Sequence, residues 1–159
     1  MSKVLTGRFT ALRDEPFVVF VIGMRINSLW KVHRWAPVAA AMPRMLKELY
    51  KNRELGFLGA QMWFSRTIVV VQYWNSVEQL NAYAKARDRE HLPAWAAFNK
   101  AVGGTGDVGI FHETYRIAPG QFECVYVDMP PFGLGAIGPL TPAAGPLAGA
   151  EGRMKANVG

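Results

Sequence analysis

Two apolar runs, GFLGAQMWF (56–64) and TIVVVQYW (67–74), are separated only by Ser65 and Arg66. So short a link leaves no room for a crossover, which fixes the pair as an antiparallel hairpin. What flanks the hairpin then settles the order of elements. Upstream, FVVFVIGMRI (17–26) is rich in Val, Ile and Phe and reads as a strand buried on both faces. Between it and the hairpin, residues 29–50 have helical composition, with Met42, Met45, Leu46 and Leu49 at helical spacing. Ser28 is the expected N-cap, Gly56 the expected stop, and Pro37 and Pro43 are expected to kink or restart the helix.

Downstream, Ser76 with Gln79 three residues later is a capping box opening a second helix to about Arg87. Pro93 forces a break, a further turn or two carries Trp95, Phe98 and Val102, and GGTG (103–106) ends it. VGIFHETYRI (108–117) follows as a strand and FECVYVDM (122–129) as another. The order is βαββαβ with an extra C-terminal strand, an α+β ferredoxin-like arrangement with two helices on one face of a four-stranded sheet. The strands are apolar on both sides, so the second face also needs a cover, which a homodimer with sheets face to face would supply.

Residues 1–129 form the expected ferredoxin-like domain, with 1–16 as an extended lead-in. From 130 to 149, ten of twenty residues are Pro or Gly, which predicts a covering loop or tail over 130–159, frayed from Glu151 onward.

Composition narrows function mostly by exclusion. The one cysteine, Cys124, excludes an intramolecular disulfide and a cysteine-based zinc cluster. The net charge is +6 with a pI near 9.7, and residues 25–53 hold seven Lys or Arg against Glu48 alone. No nucleic-acid motif accompanies that charge, so a solvated helix face or attraction of an anionic ligand is the expectation, with no nucleic-acid partner. No secretory signal or membrane-spanning run is visible, and the expected setting is the cytoplasm, with no membrane partner. Walker, GxGxxG and GxSxG patterns are absent in the right context.

The polar residues set in apolar surroundings are the candidates for chemistry. His112 sits mid-strand, sharing a face with Ile110 and Thr114, and reads as an acid/base, an axial haem ligand or a hydrogen-bonded core residue. His91, where the second helix breaks beside Trp95, reads as a pocket-lining residue able to coordinate iron, or as one member of the charged run KARDREH. His33, in a basic and aromatic patch on the first helix, is expected to be structural or surface-exposed. Arg25 and Asn27, at the end of the first strand, are candidate donors to a substrate oxygen. Tyr73, Trp74, Trp95, Tyr115 and Phe132 are candidate aromatic contacts to a flat apolar ligand, with one of Tyr73 and Trp74 expected in the core.

At QYWNSVEQLNAYA…HLPAW and GIFHETYR the chain resembles the antibiotic-biosynthesis-monooxygenase superfamily of dimeric α/β barrels. More closely, it resembles a monooxygenase-like family named after a fungal fumagillin-pathway enzyme. The likeness covers about residues 6–138 and includes GMRIN, MPRML and MPPFGLG (129–135). The wider superfamily includes cofactor-free oxygenases of polycyclic aromatics, haem-degrading monooxygenases and haem-dependent aldoxime dehydratases. In the haem-degrading branch an asparagine, a tryptophan and a histidine are typical, and Asn27, Trp74 and His91 are their loose counterparts.

The resemblance implies a monooxygenase-like oxidoreductase acting on a small hydrophobic or aromatic substrate, as a homodimer. The cofactor is either none or haem b, with His91 or His112 as the axial ligand in the second case. A haem-binding enzyme and a non-catalytic small-ligand-binding dimer are the alternatives.

Overall fold

The computed structural model describes residues 3–158. By internal contacts the chain divides into two units, Val18–Tyr115 and Met1–Phe17 with Arg116–Gly159.

The first unit is built on a four-stranded sheet. Strands β2 (Phe17–Ile26), β3 (Phe57–Trp63), β4 (Thr67–Trp74) and β5 (Val108–Ile117) lie in the order β3-β4-β2-β5. That is the ferredoxin-like order, with the first and third strands of the βαββαβ unit in the centre. β3 and β4 form the antiparallel hairpin read from the sequence, and β2 pairs antiparallel with β4 from Val18↔Trp74 to Arg25↔Thr67. Helices α1 (Val32–Lys51), α2 (Val77–Lys85) and α3 (His91–Ala101) complete the unit.

Alternation sorts the strand residues cleanly. Val18, Val70 and Trp74 pack with Leu46 and Leu49 of α1 and with Leu80 and Tyr83 of α2 in one buried cluster. A second cluster joins Met24, Ile26, Ile68, Val102 and Val108. On the opposite face, Val19, Val21, Val69, Val71, Tyr73 and Phe111 are half-buried, while Trp63 and Tyr115 stay exposed. Gly23 is required on that face, because a Cβ there would meet the Phe111 ring at 2.6 Å and the Ile68 carbonyl at 2.4 Å.

Several local expectations change. Ser28 does not cap α1; its hydroxyl donates to the Asp107 carboxylate at 2.9 Å, and the helix starts four residues later at Val32. Asp107 also holds Lys31 Nζ at 2.8 Å, and its carbonyl accepts from the Asn27 and Ser28 amides. The Lys31 and Ser28 hydrogen bonds hold its carboxyl below the usual carboxylate range. Neither proline makes α1 restart. Pro37 and Pro43 occupy exposed positions within one continuous helix, and burial of Met45, Leu46 and Leu49 outweighs two missing donors. α1 ends at Lys51, before a 3₁₀ turn (Arg53–Leu55) that Gly56 terminates at φ 90°. Pro93 falls in the first turn of α3, where its absent N–H would have no helical acceptor anyway. The Ser76 cap is as expected, accepting from the Gln79 amide at 3.2 Å.

The second unit corrects the reading of both termini. The lead-in forms strand β1 (Leu5–Ala11), the centre of a three-stranded sheet β6-β1-β7. β6 (Tyr126–Met129) is therefore partnered by β1, and β7 (Leu140–Pro142) arises inside the Pro/Gly-rich stretch. The stretch expected to fray is helix α4 (Ala150–Ala156), anchored by two buried polar residues. Arg153 pairs with Glu123 at 2.7 Å and donates to the Leu147 and Ala148 carbonyls. Asn157 accepts from the Arg13 amide at 2.7 Å and donates to the Phe122 and Arg153 carbonyls. Among the described residues, no helix is long and apolar enough to cross a membrane.

Candidate functional site

Within the Val18–Tyr115 unit, a cavity of about 550 Å³ lies between the sheet and the helices. Its volume is within the usual range for a small-molecule site. The strand positions that face the helices supply its floor, among them Ile22, Met24, Val70 and Ile110. Val38, Met42 and Met45 of α1 and the stacked pair Trp95 and Phe98 of α3 (centroids 5.4 Å apart) supply the rest of the apolar wall. The hairpin register makes this possible, since a one-residue slip would put Val69, Val71 and Tyr73 on the helix side.

Both central histidines line the cavity, and their settings differ. His91 opens α3 and is half-buried, with Nδ1 3.0 Å from the Ala84 carbonyl near the end of α2. A carbonyl can only accept, so Nδ1 carries the hydrogen, and in the uncharged form of the ring the lone pair is on Nε2. Tyr83 flanks the ring, with centroids 6.2 Å apart. His112 is not a buried core residue. It is exposed on the edge strand β5, packs against Phe20 at 5.8 Å, and has no hydrogen-bond partner among the described residues.

A carboxylate on α1 fixes the junction from which His91 projects. Glu48 Oε2 accepts from Tyr83 Oη at 2.9 Å and from the Glu90 amide at 3.1 Å, and Arg89 stands 3.7 Å from Oε1. Arg44 pairs with the Glu90 side chain at 3.8 Å. Burial, then the bond to Glu48, raises the Tyr83 phenol far above its ordinary range. Tyr83 thus stays protonated with its one hydrogen committed to Glu48, so it serves as a strut and not as an acid.

The other sequence candidates are placed elsewhere, except Trp95. Arg25 and Asn27 are exposed and outside the lining; Arg25 donates to Thr67 Oγ1 at 3.1 Å and Asn27 to the Gly106 carbonyl at 3.0 Å. Trp74 is fully buried beneath the cavity and is core, not wall, whereas Tyr73 lies on the opposite sheet face. Tyr115 is exposed and bonded to Glu113 at 2.5 Å. Phe132 belongs to the other unit and is not among the lining residues. His33 is exposed on α1 and outside the lining, as expected.

The residue that sequence reasoning passed over is Gln72. It is 5% exposed, lines the cavity, and accepts the Trp74 Nε1 hydrogen at 2.9 Å. The signal was available, as Gln72 is the lone polar residue on the Ile68–Val70–Gln72–Trp74 face of β4.

With this geometry in place, comparison with known proteins becomes informative. The model of a family described as Monooxygenase af470-like matches residues 17–134. Monooxygenase af470 of Aspergillus fumigatus is 29% identical over 158 residues, covering 85% of this chain and 55% of that protein. The chain thus spans about half the length of this curated relative. A crystal structure of an aldoxime dehydratase in complex with butyraldoxime is similar with a TM-score of 0.69 at 14% identity, over 87% of this chain and 42% of that one. Another aldoxime dehydratase structure gives 0.67 at 15% identity, over 85% and 42%. At such identities the likeness is one of fold. The family match extends from the first strand of the ferredoxin-like sheet past β6 and takes in the whole cavity, so the chain belongs to the Monooxygenase af470-like family.

Proposed function

We propose that the chain is a monooxygenase-like oxidoreductase that holds a small hydrophobic or aromatic substrate in the cavity between sheet and helices. The observation that carries this reading is His91, whose Nδ1 is tied to the Ala84 carbonyl, set in the wall of a largely apolar cavity. Family membership supports the reaction class.

Without a cofactor, the substrate itself supplies the electrons. His91 Nε2 takes a proton from an activated CH₂ group, and the electron pair left on carbon reduces dioxygen. The CH₂ becomes C=O, its four electrons reducing O₂ to the product oxygen and one water. The chain's part is to accept the proton, hold the substrate and keep bulk water out. Arg25 and Asn27 lie outside the cavity and are left out of this assignment.

One observation favours a second reading, in which haem is bound. A histidine whose Nδ1–H is tied to a backbone carbonyl is the usual arrangement for a ligand that binds through Nε2. The lining fits such a group: His91 or His112 would hold its iron, Arg34 and Arg44 would meet its carboxylates, and most of the wall is apolar. When bound, haem would supply the reactive iron, while the chain orients and shields it.

A single preparation decides between them. Oxygen uptake in the absence of haem with an aromatic ketone that carries an activated CH₂ group, such as anthrone, and conversion of that CH₂ to C=O, supports the first reading. A Soret band with haem supplied, lost in His91→Ala or in His112→Ala but not in both, supports the second. Silence in both assays leaves a non-catalytic ligand binder.

The same reading includes a homodimer closed through the outer sheet face, where Val71 and Tyr73 lie half-buried and Trp63 and Tyr115 exposed. Light scattering is expected to give twice 17.6 kDa. Val71→Arg is expected to shift the mass toward the monomer; a monomeric unmodified protein overturns this part.

A further inference from the structure

Gln72 lets the ligand be specified further. An indole N–H is a donor only, so the amide atom that meets Trp74 must be the oxygen, Oε1. This fixes the flip of the side chain. The other end, Nε2 with its two hydrogens, has no partner among the described residues. The side chain is otherwise enclosed, and the cavity is the space that its remaining surface borders. Across the sheet Gln72 lies opposite Phe20 and Ala60, and Val70 precedes it on the same face. Nε2 is reachable from the cavity, where a ligand oxygen can take the place of water on a donor whose orientation is already set.

We infer that Gln72 Nε2 is the hydrogen-bond donor that selects the ligand of this cavity, a small hydrophobic or aromatic molecule carrying a carbonyl or phenolic oxygen. Trp74 is the positioning residue, since its indole holds the amide in the donating orientation. The inference rests on the proposed reading of the cavity as the ligand site and adds the functional group that the ligand must carry. It also gives the oxygen a role: if His91 removes a proton next to a carbonyl, the electron pair moves onto that oxygen, and the amide hydrogens are there to receive the charge.

The test uses 9-fluorenone and fluorene, two tricyclic probes that differ in C=O against CH₂. Affinities are measured for the unmodified chain and for Gln72→Met, which keeps a weak acceptor for Trp74 but has no donor. Comparing the ratio of affinities between the two proteins cancels the probes' different hydration. Fluorenone is expected to lose about three- to tenfold in affinity in Gln72→Met while fluorene is unchanged. Should that variant not fold, the infrared carbonyl stretch of fluorenone bound to the unmodified protein decides. A shift to lower frequency than in hexane supports the inference. An unshifted stretch, or the same fluorenone-to-fluorene ratio in both proteins, overturns it and leaves the cavity reading intact. Failure of the unmodified protein to bind either probe overturns the cavity reading and this inference together.

Discussion

Replacing Trp74 with alanine is expected to lower the stability of the chain by about 3–5 kcal/mol, the usual range for deleting a large buried aromatic. Trp74 is fully buried and central to its cluster, with the Phe57 ring 5.5 Å away edge-on and Tyr83 at 5.8 Å. Removing it opens a void between β4, α1 and α2. The surrounding helices can close that void only in part, because Leu49 and Tyr83 are already committed to other contacts. Gln72 Oε1 also loses its donor. Against a typical total of about 5–15 kcal/mol, this change brings the fold near its limit. Trp30→Ala is the control, since Trp30 is 79% exposed and its loss should move stability by about 0.5 kcal/mol or less. Urea denaturation followed by circular dichroism measures both.

On the proposed function, His91→Ala should cut the rate of oxygen uptake by about 10²- to 10⁴-fold, the span associated with losing one general base. The fold should survive, because the junction that holds His91 is secured by Glu48 through Tyr83 and the Glu90 amide, neither of which needs the imidazole. Fluorenone affinity should change little, which separates lost chemistry from lost binding. His112→Ala should act less, since its exposed ring has no partner among the described residues to fix its orientation. A rate unchanged in His91→Ala would remove His91 from the mechanism.

Much of the ferredoxin-like unit was legible because its signals are local. A link read as two residues, and three long between the strands, dictates a hairpin; the runs 17–26, 67–74 and 108–117 match strands residue for residue, and Ser76 caps the helix it precedes. What escaped depends on partners distant in sequence. Ser28 looks like a cap until Asp107, 79 residues away, takes its hydroxyl. Residues 5–11 become a strand only because 126–129 and 140–142 flank them, and α4 is held by Arg153 and Asn157 reaching back to Glu123 and Arg13.

The site follows the same rule. His91 and Trp95 could be placed from the helix break that Pro93 signals, which lies between Lys85 and His91. The exposure of His112, and the turning of Arg25 and Asn27 toward Thr67 and Gly106, follow from sheet position and loop packing that composition does not encode. Gln72 had the plainest signal of all, a single amide in an apolar strand. It was overshadowed by residues with more familiar chemistry.

The central claim is that ligand enters the cavity walled by His91 and His112, and the chain's three histidines supply their own control. Imidazole ¹⁵N–¹H correlation spectra, recorded with and without 9-fluorenone, test it most directly. The account predicts that the free protein shows His91 as the Nδ1–H tautomer, and that fluorenone moves the His91 and His112 signals while exposed His33 stays in place. Movement of His33 alone, or binding of fluorenone with neither cavity histidine perturbed, would contradict it.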